Sequence, residues 1–313
     1  MARSTSSKVP LSSAAVAAAP GWPTALNLIV SVRPGQWTKN LLIFAGLLFG
    51  RRLFNPAAVF AAVVAFVAFC ALSGAVYLVN DVLDRESDRR HPLKARRPIA
   101  SGAISVATAV GTALGLVVMG LAASFALNIR LGVVAAAYLA LLTLYSGLLK
   151  HIVIIDVLTI ALGFVLRAVA GAVAVDVEIS HWLLVCTILL ALFIALAKRR
   201  HELLLLTGTA TSHRPILSEY TPYLLDQMIG VVTASTLIAY VFYTISPETQ
   251  MKFGPWLGLT IPFPLYGIFR YLYLVHQREG GGSPADLLLT DRPLLASVAL
   301  WALLVALIIY RPL

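Results

Sequence analysis

The sequence predicts an all-α protein, a polytopic membrane helical bundle with about nine transmembrane helices. Three observations carry that expectation. Hydrophobic residues fill 59% of the chain and charged residues only 12%, where a soluble domain carries about 25% charge. Apolar stretches of the roughly 20 residues needed to cross a bilayer recur at near-regular intervals. Basic residues gather on alternate connections between them, the pattern that sets membrane orientation.

Taken in order, residues 1–23 are rich in Ser, Ala and Pro and are expected to form a disordered tail. A signal peptide is the rival reading, since Arg3 and Lys8 precede a small-residue stretch, but Pro10, Pro20 and Pro23 make its apolar part poor. One integral-membrane domain is expected over 24–313. Its first span, 24–49, is interrupted by Arg33, Pro34 and Lys39. Proline should bend or break a helix there, and polar groups at that depth need a protein-lined cavity. The other spans are expected at 57–80, 105–127, 131–149, 153–175, 181–197, 222–246, 255–276 and 293–310. Cys70 and Cys186 lie inside spans without metal-ligand company and read as packing residues. Gly280–Gly281–Gly282 reads as a flexible loop before the last span.

Charge sets orientation. Of the 24 Lys and Arg residues, seventeen fall on the side holding the N-terminus of the first span and five on the other, with Arg167 and Arg270 inside spans. The richer side should face the cytoplasm. That places the N-terminus inside and, with an odd number of spans, the C-terminus outside. The net charge of +10 then reflects cytoplasmic loops and anionic substrates. A nucleic-acid partner is not expected, because the basic loop is short and lacks aromatics.

The segment NDVLDRESDRRHPLKARRPIASG at 80–102 carries the chemistry. In a helix, Asp81, Asp84 and Asp88 fall within about 60° of one another around the axis, while Glu86 points roughly the other way. One face thus offers three hard oxygen ligands at a membrane boundary, an arrangement suited to Mg²⁺, which takes carboxylates together with substrate phosphate oxygens. The same side gathers Gln36, Lys39, Asn40, Tyr145, Lys150, Asp156, Lys198 and Arg199. Asp156 sits one turn inside the fifth span, where an ionisable residue is a functional candidate; a capping role at a helix start is the alternative. Arg167 lies eleven residues on and shares its face. An arginine that deep meets a lipid phosphate or a neighbouring helix.

No nucleophile–base pair stands out, and there is no zinc spacing and no P-loop. The pattern points to transfer chemistry on a diphosphate: metal and bases stabilise the leaving group, and no protein nucleophile is needed. A transporter would place its charges and broken helices near mid-membrane rather than at one mouth.

NDVLDRESD resembles the N-D-x-x-D-x-x-x-D signature of the UbiA superfamily of intramembrane prenyltransferases, and RRPIASG resembles the R-P-x-x-x-G that follows it. The resemblance covers nearly the whole chain and implies the nine-span UbiA-type fold. More narrowly, RPGQWTKNLLIF at 33–44, YSGLLKHIVIIDVLTIALGFVLRAVAGA at 145–172, AKRRHEL at 197–203, RYLYLVH at 270–276 and LLLTDRP at 287–293 resemble the branch that makes decaprenyl-phosphate phosphoribose.

That branch takes 5-phosphoribose 1-diphosphate as donor and polyprenyl phosphate as acceptor, for lipid-linked arabinose and cell-wall arabinan in a bacterial cell membrane. The resemblance implies Mg²⁺, with Mn²⁺ able to substitute, on Asp81, Asp84 and Asp88, supported by Asn80. It implies Lys39, Lys94, Lys150 and Lys198 on the donor's phosphates, with Gln36, Asn40, Arg97, Tyr145 and Arg167 among the substrate-binding residues. Aromatic prenyltransferases of the superfamily carry a second D-x-x-x-D motif; here Ile160 follows Asp156 at that spacing, so one metal is expected. The alternative is transfer of a prenyl group from prenyl diphosphate to an aromatic or other acceptor. The oligomeric state, a homo-oligomer included, is left open.

Overall fold

Polar caps start most of the long helices. Asn55 Oδ1 accepts from the N–H groups of Ala57 and Ala58, Ser105 Oγ from Thr108, Asn128 Oδ1 from Arg130, Thr221 Oγ1 from Leu224 and Asp291 Oδ1 from Leu294. Each satisfies a donor that the helix itself cannot, and Pro56 and Pro222 open their helices, where their missing N–H costs nothing. The protein is described from a computed structural model, over residues 23–91, 94–205, 215–277, 287 and 290–310. The tail expected through residue 22 and the glycine loop at 280–282 lie outside the described residues.

The elements are α1 (Thr24–Ser31), a 3₁₀ segment (Pro34–Phe44), α2 (Ala45–Phe49), α3 (Pro56–Leu83), α4 (Arg85–Arg90), a 3₁₀ turn (Lys94–Arg96) and α5 (Pro98–Ser101). There follow α6 (Val106–Leu127), α7 (Ile129–Gly147), a 3₁₀ turn (Leu149–His151), α8 (Ile155–Ala174), α9 (His181–Leu205) and a 3₁₀ turn (Pro215–Glu219). The last are α10 (Pro222–Ile245), α11 (Pro247–Phe253), a 3₁₀ segment (Pro255–Thr260), α12 (Pro262–Gln277) and α13 (Arg292–Ile309). There is no strand among the described residues. Seven helices there, α3, α6, α7, α8, α9, α10 and α13, are long and apolar enough to cross a membrane. The two remaining expected spans are the interrupted stretch of α1, 3₁₀ segment and α2, and the stretch formed by Pro255–Thr260 with α12.

Two features differ from the sequence expectation. α9 runs on to Leu205, so Lys198, Arg199 and Arg200 stand on a helix rather than in a loop; the leucines after Glu202 are good helix formers and no Gly or Pro intervenes. The acidic stretch is not one straight helix. α3 ends at Leu83 and Asp84 takes φ −86°, ψ 2° before α4 begins. The i→i−4 bonds Asp84 N–H to Asn80 O and Asp88 N–H to Asp84 O persist on either side, so Asp84 marks a kink rather than a break.

Sequential helices pack as neighbours, α3 on α6, α8 on α9 and α9 on α10, while the 3₁₀ segment lies against both α3 and α8. Around Ile43, Phe69, Leu72 and Tyr138 one core cluster joins that segment to α3, α7 and α8. A second, around Phe193, Leu196, Leu225 and Tyr271, joins α9, α10 and α12. Glycine sets the first junction: a Cβ on Gly171 would lie 2.0 Å from the Ile43 carbonyl oxygen, and one on Gly46 2.8 Å from that of Gly171. Small residues thus let α8 meet the 34–49 stretch backbone to backbone, which carries Lys39 and Asn40 to α8.

Candidate functional site

Asp81 and Asp88 are buried, 4% and 1% exposed, although both are charged side chains at the end of a membrane helix. They are compensated by bases from three places in the chain. Arg97 Nη1 lies 3.1 Å from Asp81 Oδ1 and 2.7 Å from Asp88 Oδ2. Lys94 Nζ is 3.8 Å from Asp88 Oδ1. Arg33 Nη2 donates to Asp81 Oδ1, with its guanidinium 4.7 Å from the Tyr77 ring centroid. Three cations thus face two carboxylates, and one nitrogen of Arg97 bridges both acids. Arg33 reaches Asp81 from a left-handed backbone conformation, φ 55°, which is uncommon for a residue with a Cβ.

Asp84 is exposed, and its carboxylate makes no hydrogen bond or ion pair among the described residues. Asp81 and Asp88 are buried against Arg97 while Asp84 at the kink is exposed, so the three aspartates do not form one closed face. Among the described residues no three His, Cys, Asp or Glu side chains are grouped as a metal site. The donor set nevertheless fits a hard cation, since Arg97 Nη1 already occupies a position between two carboxylate oxygens where a positive charge is held. Half-buried Asn80 and Gln36, and Lys150 in its 3₁₀ turn, have no side-chain partner among the described residues.

Deeper in the bundle, Asn40 and Arg167 meet. Arg167 Nε donates to Asn40 Oδ1 at 2.6 Å, Nη1 to the Gly163 carbonyl at 2.9 Å and Nη2 to Tyr138 Oη at 2.6 Å. Asn40 Nδ2 in turn faces Cys70 Sγ at 3.2 Å and Ser73 Oγ at 3.4 Å. The shared face of Asp156 and Arg167 on α8 exists, yet the two side chains serve different partners.

Asp156 has no exposure, and both its oxygens are taken. Oδ2 accepts from Arg199 Nε at 2.9 Å and Oδ1 from Tyr220 Oη at 2.8 Å. Arg199 also donates to Glu202 Oε2 and, at 3.4 Å, to Tyr145 Oη. Lys198 Nζ lies 3.9 Å from Glu202 Oε1. Tyr220 Oη accepts the N–H of Ile154 at 2.7 Å, at a β-branched residue with φ 68°, a strained conformation costing about 1–3 kcal/mol. Burial pushes the Tyr220 phenol up to about 12, which keeps it a donor to Asp156. The cluster therefore fastens the start of α8 to α7, α9 and the turn before α10.

Sequence reasoning did not single out Arg33, Tyr138 or Tyr220 as site residues. A signal existed for Arg33, a charge inside an apolar span next to Pro34; none existed for the two tyrosines, whose partners lie 29 and 66 residues away.

A polytopic helical bundle with a carboxylate–arginine cluster at one mouth belongs to a recognisable class. The UbiA prenyltransferase family profile matches residues 40–290, and the chain belongs to that family. It is 34% identical over 290 residues to a decaprenyl-phosphate phosphoribosyltransferase of Corynebacterium glutamicum, covering 91% of this chain and 87% of that protein. It is 35% identical over 289 residues to the protein of the same name from Mycolicibacterium smegmatis, covering 88% and 90%. Among solved structures, a UbiA homolog of Archaeoglobus fulgidus bound to GPP and Mg²⁺ superposes with a TM-score of 0.69 at 21% identity, over 92% of this chain and 99% of that one. The same homolog bound to Cd²⁺ gives 0.66 at 19%, over 90% and 99%. These structures establish the shared fold.

Proposed function

We propose that this protein transfers the 5-phosphoribosyl group of 5-phosphoribose 1-diphosphate to a polyprenyl phosphate and releases pyrophosphate. The product feeds lipid-linked arabinose and cell-wall arabinan. The relatives of that name, matched over nearly their whole length, support the reading. The observation that carries it is the pair of buried carboxylates sharing one arginine nitrogen at the end of α3.

Asp81 and Asp88, with Asn80 beside them, would hold Mg²⁺, or Mn²⁺ in its place, while Asp84, exposed at the kink, stands outside that pair. The ion supplies charge neutralisation on the leaving diphosphate. Arg33, Arg97 and Lys94 outnumber the acids they face, so their donors turn to phosphate oxygens as the donor enters. Lys150, half-buried and without a side-chain partner among the described residues, adds a further positive charge at the same end. The bond from ribose C1 to the diphosphate oxygen breaks, with its electron pair leaving on pyrophosphate. An oxygen of the lipid phosphate then bonds to C1. That oxygen is already ionised at neutral pH, so no protein base is required. Asp156, fully engaged by Arg199 and Tyr220, holds the helix that carries Arg167 rather than a second ion.

The basic side faces the cytoplasm of a bacterial cell on this reading, with the N-terminus inside and the end of α13 outside. Membranes containing the protein, supplied with labelled 5-phosphoribose 1-diphosphate and polyprenyl phosphate, should move label into lipid. Sealed inside-out vesicles should do so with external donor, and right-side-out vesicles only after permeabilisation. Purified protein that ignores this donor and instead moves a prenyl group from prenyl diphosphate to an aromatic acceptor would overturn the reading within the same family.

A further inference from the structure

A groove runs between α10 and α12. Asp226, Gly230, Thr233 and Leu237 line it from α10, and Phe269, Leu272 and His276 from α12. Both sets follow the three- and four-residue spacing of a single helix face. Gly230 and Phe269 are exposed, so the groove opens on the outer surface of the bundle. It shares no residue with the aspartate cluster or the Asp156 anchor. Its volume is about 390 Å³, room for a hydrocarbon chain rather than an ion. Gly230 keeps it open, since a Cβ there would meet nothing within 4 Å.

The mouth of the groove is charged. Arg200, near the end of α9, donates to both oxygens of Asp226, and His276 Nε2 lies 3.2 Å from Asp226 Oδ1. His276 Nδ1 lies 3.0 Å from the Leu272 carbonyl oxygen. Both ring nitrogens thus face oxygen acceptors, and only the imidazolium donates at both. Two cations then meet one carboxylate, which leaves one positive charge over, and Arg200 Nη1 has no partner among the described residues.

Thr233 lies about two turns further along α10. It is 7% exposed, and its hydroxyl has no partner among the described residues. Ser235 and Thr236 on the same helix turn theirs back to the carbonyls of Val231 and Val232, a bond open to any hydroxyl on a helix. Thr233 instead leaves a donor in an apolar groove, where an unsatisfied hydroxyl is costly.

We infer that this groove holds one anionic diacyl glycerophospholipid. Its phosphodiester meets Arg200 and His276, an ester carbonyl accepts from Thr233, and one acyl chain lies along Gly230, Leu237 and Phe269. Charge complementarity selects the head, one surplus positive charge against one phosphodiester, as in other basic sites between membrane helices. Thr233 selects the body. A polyprenyl phosphate has only hydrocarbon below its phosphate and offers that hydroxyl nothing, so the occupant differs from the acceptor of the proposed reaction. Arg200 adjoins Arg199, which holds Asp156, so lipid at the mouth braces the end of α9.

The test uses the full chain in detergent, stripped of copurified lipid and resupplied with defined lipids. Dioleoyl phosphatidylglycerol should raise the melting temperature more than dioleoyl phosphatidylcholine does. Gly230→Leu fills the groove without a clash; it should keep the wild-type melting temperature without lipid and lose the phosphatidylglycerol response. His276→Gln should weaken phosphatidylglycerol binding about tenfold, the loss of one charge-assisted contact, and leave phosphatidylcholine unchanged. The dialkyl ether analogue of phosphatidylglycerol lacks carbonyls and should bind wild type less well than the diester, while Thr233→Val should bind the two alike. Equal responses to the two head groups, a full phosphatidylglycerol response in Gly230→Leu, or a diester preference that survives in Thr233→Val would each overturn the inference. So would protection by a polyprenyl phosphate that Gly230→Leu abolishes, which would give the groove to the acceptor. A changed oligomeric state in Gly230→Leu would give it to a second copy instead. Every readout is melting or binding, so the outcome is independent of which donor the enzyme uses.

Discussion

Asp81 and Asp156 are both buried carboxylates near the same end of the bundle, 4% and 0% exposed, and each meets an arginine. Their surroundings differ in one respect. Around Asp81 the arginines keep access to solvent, with Arg33 and Arg97 side chains 31% and 16% exposed, and a single Arg97 nitrogen is divided between two acids. Around Asp156 the arginine is 2% exposed and every carboxylate oxygen has its own donor. A divided, accessible partner can be exchanged for a metal ion or a diphosphate. A saturated, enclosed pair can only be broken, and breaking a buried pair strands a charge. On the proposed function, the same residue types serve binding in one cluster and anchoring in the other.

The largest expected effects test the exchangeable half of that contrast. Asp81→Ala and Asp88→Ala should each lower kcat/KM by about 10²–10³-fold or more, the scale for removing one group that stabilises a developing charge. Their melting temperatures should stay near wild type, since Arg33 and Arg97 can turn to solvent. Chelation of divalent ions should silence the wild-type protein in the same assay. If either variant lost its fold instead, the mouth cluster would be an anchor like the other.

Asp156→Asn should do the opposite. Removing one member of a buried pair costs about 3–5 kcal/mol, seen as a large drop in melting temperature or in the yield of folded protein. Molecules that do fold should keep a donor KM near wild type. A donor KM raised as far as in an Asp88 variant, with the melting point unmoved, would place Asp156 at the substrate and erase the contrast.

Arg97→Ala falls between these two. Losing charge-assisted contacts of about 1.5–3 kcal/mol should raise the donor KM by about 10- to 150-fold, with a smaller change in the KM of the lipid. Arg97→Lys should recover part of the loss, because a charge returns without the fork that spans both acids. An effect confined to the lipid KM would move Arg97 to the acceptor.

How much of this was legible in the chain depends on the range over which each feature is decided. Spans were legible because they follow from local hydropathy, whereas Asn55, Ser105, Asn128, Thr221 and Asp291, the caps that start α3, α6, α7, α10 and α13, were not singled out although each lies next to its helix. The acids at 81, 84 and 88 could be placed on one helical turn pattern, but the kink at Asp84 could not, because local spacing holds only while the helix stays straight. Partners across the fold stayed hidden: Tyr220 lies 64 residues from Asp156, and Tyr138 lies 29 from Arg167. Arg33 was readable as an interruption of an apolar span, but its route to Asp81 required a left-handed backbone that no neighbour-level rule supplies.

A smaller effect tests the anchor at one atom. Tyr220→Phe removes the hydroxyl that accepts from Ile154 and donates to Asp156, while Arg199 stays on the other carboxylate oxygen. The loss should be about 1–3 kcal/mol, the cost of leaving a buried polar group unsatisfied. It should appear as a modest fall in melting temperature with kinetic constants little changed. Tyr220→Phe with full stability would mean that the Ile154 strain and Asp156 are held by packing alone.

The smallest effect is expected at Glu86, which shares the acidic stretch with the three aspartates and so controls for net charge there. Glu86 is 70% exposed at its side chain and among the described residues meets only Arg89, at 3.2 Å, in an i,i+3 pair whose arginine is 42% exposed. Surface pairs of this kind contribute about 0–1 kcal/mol. Glu86→Ala should therefore leave the donor KM within about twofold and the melting temperature almost unmoved. Were Glu86→Ala as damaging as Asp88→Ala, the site would be answering to the total negative charge of residues 81–88 rather than to buried carboxylates that share an arginine, and the difference between the two clusters would lose its physical basis.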